Sequence, residues 1–265
     1  MFIDIIKSIV IGFVEGITEF LPISSTGHII LINQWLTFDE SFTALFDIFI
    51  QLGAILAVII YFWHKIWPFN KDEIGKSEII KMWNKVIIAV IPVLIVGGLF
   101  GSIIQKTLFY PKVVAVTLII GGFILLYVEK KPRTQRFFTI SDITWKTALL
   151  IGLVQCISMI PGTSRSAATI IGGLFQGASR VVAVEFSFFL AIPTMIAASA
   201  YSILKHGLFI NSHELIILIV GFATAFLVAL IVIKYFIKYI QSHNFIPFAY
   251  YRIVLGIAIL IYFWN

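Results

Sequence analysis

The 265-residue sequence predicts an all-α polytopic membrane protein. Apolar residues make up 60% of the chain and charged residues 12%, against roughly 45–50% and 25% in soluble domains. The mean hydropathy of +1.04 would leave a soluble globule with too little polar surface to cover itself. Soluble nucleotide-binding enzymes, nucleic-acid-binding proteins and disordered tails are therefore disfavoured.

Six apolar stretches are long enough to cross a bilayer, which takes about 20 residues in a helix. They cover residues 42–63, 86–104, 113–128, 182–204, 214–240 and 246–264. Two other apolar regions, residues 5–36 and 143–178, are broken in the middle by Pro, Gly, Ser and Thr. Irregular backbone at membrane depth is tolerated where it is buried in protein or lines a wet cavity. We therefore expect six transmembrane helices plus two re-entrant helical hairpins; two kinked ordinary spans are the alternative.

The order of elements repeats along the chain. A broken hairpin and three spans occupy residues 1–130, and the same order follows in residues 140–265. An odd number of crossings in the first half would make the second half enter the membrane upside down. The sequence thus predicts one integral membrane domain, residues 1–265, built as an inverted-topology repeat.

Basic residues predict the orientation, because cytoplasmic loops carry an excess of Lys and Arg. Five lysines lie between residues 65 and 85, and five basic residues lie between residues 130 and 146. We assign both connections to the cytoplasmic side, and Arg252 to the same side. The net charge of +6 is thereby explained by topology, without a nucleic-acid partner. The single cysteine, Cys156, excludes an internal disulfide framework.

Ionisable residues inside apolar segments are costly and therefore indicate function. Those within or beside the two broken regions and the first span are Glu15, Glu19, His28, Asp47, Arg165 and Glu185.

The first break, residues 21–28, has the composition of a helix start. Either Ser24 or Ser25 can cap a new helix after the proline. Its first free amide groups, among them those of Thr26 and Gly27, would then point at the break. Such a helix end binds phosphate, although a purely capping role for the serines is the alternative.

Three ionisable side chains surround this helix start. Glu15 and Glu19 are four residues apart, so they share one helix face and could hold a divalent cation between them; a water-exposed helix end is the alternative. His28 follows the two serines by one turn, where its imidazole could act as a general base on a hydroxyl or protonate a leaving oxygen.

The second break, residues 160–169, offers a similar anion cradle. Thr163 or Ser164 can cap the following helix, and Arg165 carries five donors that match the oxygens of a phosphate. A structural arginine paired with a carboxylate is the alternative. Ser166 and Thr169 would continue the polar face.

Two anion-binding helix starts, one arginine, two carboxylates and a serine near a histidine together indicate a diphosphate site. Carboxylates that face a phosphate require a metal between them, so we expect Mg²⁺ or Ca²⁺.

Two motifs resemble the signatures of a known family. EGITEFLPISSTGH, residues 15–28, is similar to the first signature of the bacitracin-resistance type undecaprenyl-diphosphate phosphatases, and PGTSRSAAT, residues 161–169, is similar to the second. The similarity covers nearly the whole chain, including QLGAILAV, EFSFFLAIP and FIPFAYYR. One departure is Ala167, where the family usually has glycine; its methyl group could crowd close packing.

The resemblance implies removal of the terminal phosphate from undecaprenyl diphosphate, which recycles the lipid carrier for cell-wall synthesis and gives bacitracin resistance. It implies a multi-pass protein of the bacterial plasma membrane whose active site opens to the outer, periplasmic side. The expected partners are the polyprenyl diphosphate substrate and the bilayer, with no nucleic acid; a homodimer is one option for assembly.

The expected roles of the site residues combine both lines of reasoning. Catalysis is assigned to Glu19, Ser25, His28 and Arg165, and cation binding to Glu15 and Glu19. Substrate binding is assigned to Ser24, Thr26, Gly27, Gly162, Thr163, Ser164, Ser166 and Thr169. Ser25 would attack the terminal phosphorus while Glu19 or His28 takes its proton; a metal-activated water is the alternative nucleophile.

A transport function remains open on sequence grounds. An inverted-repeat transporter or flippase could use the same broken helices to bind an anionic solute or lipid. A phosphatase of the phosphatidic-acid type would need a further nucleophilic histidine shortly after Ser-Arg, and none follows Arg165 before His206.

Overall fold

The computed structural model describes residues 1–69, 72–132, 134–206 and 210–264, and every regular element in these ranges is a helix. The helices are α1 (Phe2–Thr18), α2 (Ser25–Ile32), α3 (Glu40–Tyr61), α4 (Trp63–Ile66), α5 (Glu73–Leu108), α6 (Pro111–Lys130), α7 (Trp145–Gln155), α8 (Arg165–Phe175), α9 (Arg180–His206), α10 (Ser212–Ile240) and α11 (Ile246–Tyr262). Lys71 and Arg133 of the basic connections lie outside the described residues.

Five helices are long and apolar enough to cross a membrane: α3, α5, α6, α9 and α10. They coincide with five of the predicted spans, which confirms an all-helical polytopic membrane protein. The sixth predicted span is α11, an apolar helix of 17 residues. Helix α5 begins at Glu73 rather than near residue 86, because Asp72 caps it and accepts a hydrogen bond from the Gly75 amide at 3.0 Å.

The helices pack around α9, the most buried of the five long ones. Helix α10 lies along α3 and α1, α5 packs against α7 and α9, and α6 pairs with α11. Helix α5 exposes most of its apolar surface. Large apolar side chains occupy both the outer surface, as along α5, and the interior around α9, where Phe186, Phe188 and Phe189 are fully buried.

Both predicted interruptions are present. The first separates α1 from α2, and the second separates α7 from α8, where a 3₁₀ turn at Cys156–Met159 precedes the break. The sequence left two candidate caps at each break; the structure selects Ser24 and Ser164, whose hydroxyls accept hydrogen bonds from the amides of Gly27 and Ala167.

The two capping serines share a rare backbone conformation. Ser24 has φ of 71° and Ser164 has φ of 70°, and they are the only residues other than glycine with positive φ in the described part of the chain. This region costs a non-glycine residue of the order of 1–3 kcal/mol and persists where surrounding contacts enforce it, often at functional sites.

Candidate active site

Ser25 and Glu19 meet across the first break. Glu19 directly follows α1 and Ser25 begins α2, and the turn between them folds the chain back on itself. The hydroxyl Oγ of Ser25 donates a hydrogen bond to Oε2 of Glu19 at 2.7 Å. A carboxylate that accepts from a serine hydroxyl has the geometry required to remove its proton.

Arg165 joins the second break to the same carboxylate. Its Nη2 donates to Oε1 of Glu19 at 3.1 Å, and its Nη1 donates to the backbone carbonyl of Ser187 in α9 at 3.0 Å. The side chains of Arg165 and Glu19 are only 11% and 9% exposed, so water screens this ion pair little. This ion pair with Glu19 also fits the structural role considered above for Arg165. Because Arg165 lies in the first turn of α8, it sits beside the carboxylate that accepts from Ser25.

The two breaks contact each other directly as well. Ser166 Oγ donates to the carbonyl of Leu21 at 2.9 Å, so the first turn of α8 is bonded to the first break. The buried guanidinium of Arg252, from α11, donates to the carbonyl of Pro22 at 3.2 Å. It also donates to the carbonyls of Gly162 and Thr163, at 3.3 and 2.9 Å. One side chain thus holds both irregular segments.

His28 is not placed against the Ser25 hydroxyl. Its Nδ1 lies 2.8 Å from the backbone carbonyl of Ser24, and its Nε2 lies 2.7 Å from the hydroxyl of Tyr251. A carbonyl only accepts, so Nδ1 carries the proton, and Nε2 of the neutral ring accepts from Tyr251. The predicted contact between imidazole and serine is therefore absent, and Glu19 is the base nearest the Ser25 hydroxyl among the predicted residues.

The remaining predicted residues of α8 hold the helix rather than face Ser25. Thr169 Oγ1 contacts Ser187 Oγ at 2.6 Å and donates toward the carbonyl of Arg165 at 3.0 Å. Ser164 Oγ lies 3.0 Å from Ser166 Oγ. Ala167 is fully buried in this first turn, where the helix accommodates its methyl group.

A polar cavity of about 200 Å³ lies beside Ser25. Its polar lining consists of Glu15, Ser25, Thr26, Asn33, Asp47 and Gln51. Glu15 is 2% exposed, and its Coulombic interactions include Glu19 and Asp47. Among the described residues, no group of three or more His, Cys, Asp or Glu side chains is arranged to hold a metal ion.

Comparison with known proteins places these residues in a family. The family model described as "Bacitracin resistance protein BacA" matches residues 8–258. The chain belongs to this family. It is similar to "Undecaprenyl-diphosphatase" of Enterococcus faecalis, with 49% identity over 268 residues that cover 98% of this chain and 97% of the relative. It is equally similar, at 49% identity over 265 residues with the same coverage, to "Undecaprenyl-diphosphatase 1" of Clostridioides difficile (strain 630).

Membership of the BacA family confirms the resemblance on which the sequence interpretation drew, and the structure adds residues that this interpretation missed. Arg252 was assigned to the cytoplasmic side, but it is fully buried and bonds both breaks. An arginine within the apolar stretch 246–264 was the signal that could have revealed it. Tyr251 and Ser187 gave no such signal, because their contacts with His28 and Arg165 depend on the packing of distant helices.

Proposed function

We propose that the protein is a membrane phosphatase that hydrolyses undecaprenyl diphosphate to undecaprenyl phosphate and inorganic phosphate. The observation that carries this proposal is the 2.7 Å hydrogen bond from Ser25 Oγ to Glu19, within reach of Arg165. The names of the BacA-family relatives supply the substrate. The product is the carrier form of the lipid, so the reaction returns it to cell-wall synthesis, and the family name links the same activity to bacitracin resistance.

The chemistry proceeds in two displacements. Oγ of Ser25 attacks the terminal phosphorus while Glu19 takes its proton, and the bond from that phosphorus to the bridging oxygen breaks. Undecaprenyl phosphate leaves, and water then hydrolyses the phosphoserine to release inorganic phosphate and restore the hydroxyl. Arg165 balances charge on the equatorial oxygens, because catalysis of phosphoryl transfer is mainly positioning and electrostatic stabilisation.

The free amide groups at the starts of α2 and α8 support binding of the diphosphate. Both helices begin at the breaks, and a helix N-terminus attracts anions through its dipole and unpaired amides. At the first start, Ser24 caps the helix and Thr26 lies in its first turn. The Gly27 amide, predicted to point freely at the break, instead donates to the Ser24 hydroxyl. Gly162, Thr163, Ser164, Ser166 and Thr169 support the second by fixing its backbone.

A divalent cation, Mg²⁺ or Ca²⁺, fits the carboxylates of this site. Oε1 of Glu15 is buried and has no hydrogen-bond partner among the described residues. Glu19 accepts one hydrogen bond on each oxygen, which leaves lone pairs for a metal. Mg²⁺ in phosphate-transfer sites is held through one or two carboxylates plus phosphate oxygens and water. The ion would neutralise charge on the diphosphate when bound.

The topology we propose has six transmembrane helices and two re-entrant hairpins, α1–α2 and α7–α8, in two inverted repeats. Corresponding helices pack in the same pattern in both halves, since α1 packs on α10 and its counterpart α7 packs on α5. Phe109, directly after the end of α5, lines the polar cavity, whereas the lysines of the basic connection lie before α5 and in its first four turns, at the opposite end of that helix. With the basic connection cytoplasmic, the site opens to the outer side.

The prenyl chain has an apolar path next to the site. A groove of about 440 Å³ runs beside His28 and Tyr251, lined on its apolar side by Ile17, Leu21 and Phe248 among others. A hydrocarbon tail needs no polar recognition, so a lipid-facing groove of this kind suffices to hold it.

The decisive experiment measures inorganic phosphate released from undecaprenyl diphosphate by the purified protein in detergent. We expect release that stops with a chelator and resumes with Mg²⁺ or Ca²⁺. Glu19→Gln should abolish it with little change in volume, whereas Glu214→Gln, a change at the exposed capping box of α10, should leave the rate unchanged. Absence of release by folded protein, with either metal supplied, would favour the transporter or flippase instead.

Tyr251 is expected to act as a positioning residue for His28. Tyr251→Phe removes the hydrogen bond to Nε2, a contact worth about 1 kcal/mol, which corresponds to roughly a fivefold change in a rate or equilibrium. We expect kcat for phosphate release to fall by about that factor. Tyr250→Phe is the matched control, because Tyr250 is exposed and its neighbouring position leaves His28 untouched. Equal rates in both variants would show that the orientation of His28 does not matter.

A further inference from the structure

Three buried acceptor oxygens converge on the polar cavity beside Ser25. They are Oε1 of Glu15, Oδ1 of Asp47 and Oδ1 of Asn33, and all three residues line this cavity. None of the three atoms has a hydrogen-bond partner among the described residues. They come from three different helical segments, because Glu15 lies in α1, Asn33 follows α2 and Asp47 lies in α3.

Unpaired acceptors in such a position need a positive partner. A buried polar group without a hydrogen bond costs of the order of 1–3 kcal/mol, and a charged one costs more. Glu15 is 2% exposed and lines the cavity together with Asp47, so two carboxyl groups border the same space. Carboxylate and amide oxygens are the ligands of hard divalent cations, and no hydroxyl or amide donor can compensate two negative charges as fully as a cation does.

We propose that this cavity is the cation site, and that Asp47 and Asn33 complete it together with Glu15. This inference rests on the proposed function, whose cation it locates. It differs from the Glu15–Glu19 pair predicted from sequence, because Glu19 is not among the residues that line the cavity. The two oxygens of Glu19 accept hydrogen bonds from Ser25 and Arg165, at the contact between the two breaks. Two carboxylates and one amide leave the remaining coordination positions to water and substrate oxygens.

This arrangement separates the residue that acts as a base from the residues that bind the cation. Glu19 stays with Ser25 as its base, and the ion would be held in the cavity that Ser25 also lines. Asp47 and Asn33 are then metal-binding residues that the motif EGITEFLPISSTGH does not contain. The cavity volume of about 200 Å³ accommodates an ion together with several water molecules, each of which takes about 30 Å³.

The test measures cation binding without substrate. Mn²⁺ is titrated into the purified 265-residue chain in detergent, and the free ion is followed by electron paramagnetic resonance. We expect saturable binding to the unaltered chain and a loss of affinity of about tenfold or more in Asp47→Asn and in Asn33→Leu. Asn33→Asp, which adds a third carboxylate, should bind Mn²⁺ more tightly. The control is Glu185→Gln, because Glu185 pairs with Lys65 at 2.7 Å beside a different cavity.

Two results would overturn the proposal. One is unchanged affinity in both Asp47→Asn and Asn33→Leu, with loss only in Glu15→Gln and Glu19→Gln, which would restore the predicted pair. The other is absence of Mn²⁺ binding by the unaltered, folded chain. Thermal unfolding of each variant checks its fold, and Asn33→Asp decides the matter should Asp47→Asn unfold. Since no substrate is present, this result is independent of whether the protein releases phosphate.

Discussion

Ser25→Ala is expected to lower phosphate release from undecaprenyl diphosphate by about a thousandfold or more, because it removes the oxygen that attacks phosphorus. The loss should appear in kcat, since Arg165 and the two helix starts still bind the diphosphate. Rapid quenching of the unaltered enzyme with substrate labelled in its terminal phosphate should trap a phosphoprotein, and the label should be absent from Ser25→Ala.

Ser8→Ala provides the matched control for this substitution. Ser8 is a fully buried serine of the first hairpin, and its hydroxyl donates to the carbonyl of Ile217 at 2.7 Å, away from the second break. Its loss should cost about 1 kcal/mol of stability without slowing the chemistry. Should Ser25→Ala retain a tenth of the unaltered rate, with no phosphoprotein trapped, a metal-activated water would be the nucleophile.

Gly162→Ala is expected to have the largest effect on stability. Gly162 has φ of +88°, and a Cβ there would clash with the Thr117 hydroxyl oxygen and lie 2.5 Å from the carbonyl oxygen of Val114. Left-handed backbone costs an alanine about 1–2 kcal/mol and overpacking adds about 1–3 kcal/mol. We expect a decrease in the midpoint of thermal unfolding of about 5–10 °C. Phosphate release should fall as well, because the same turn presents α8.

Gly98→Ala is the corresponding control. Gly98 lies in α5, where an added Cβ meets no atom within 4 Å. Alanine is favoured over glycine in a helix by about 1 kcal/mol, so this variant should unfold at the same temperature or slightly higher. Equal unfolding temperatures for Gly98→Ala and Gly162→Ala would mean that the second break adapts to a side chain, contrary to the clash described above.

Much of the fold follows from composition and the length of apolar runs. Spans are set by bilayer thickness, and this is why five predicted stretches coincide with long helices. The breaks were visible because Pro22 and Pro161 are each followed by Ser and Thr, which favour helix starts. What the sequence could not decide was which of two neighbouring residues caps each helix, because that depends on the positive φ that the packed breaks enforce at Ser24 and Ser164.

The site was predictable where its residues lie close together in the chain. Glu19 and Ser25 are six residues apart and form the expected pair. His28 was considered for the same role, yet it bonds to Tyr251, which is 223 residues away. Spacing along one helix shows which groups are near each other, but it does not show that a distant helix offers a better partner. Asp47 is a similar case. Its charge within an apolar stretch is evident from the sequence, but its place in the same cavity as Glu15 depends on how α3 packs.

The hydrogen bonds that Arg252 donates to both breaks limit the order in which the site can assemble. Its guanidinium reaches the carbonyl of Pro22, 230 residues earlier in the chain. Until the ribosome has produced α11, the carbonyl of Pro22 in the first break lacks the hydrogen bond from Arg252. The hydrogen bonds from Arg252 to both breaks can therefore form only after α11 has been synthesised. A nascent chain inserted only as far as α10 would have the serine and its carboxylate base, but not the fixed turn that presents them.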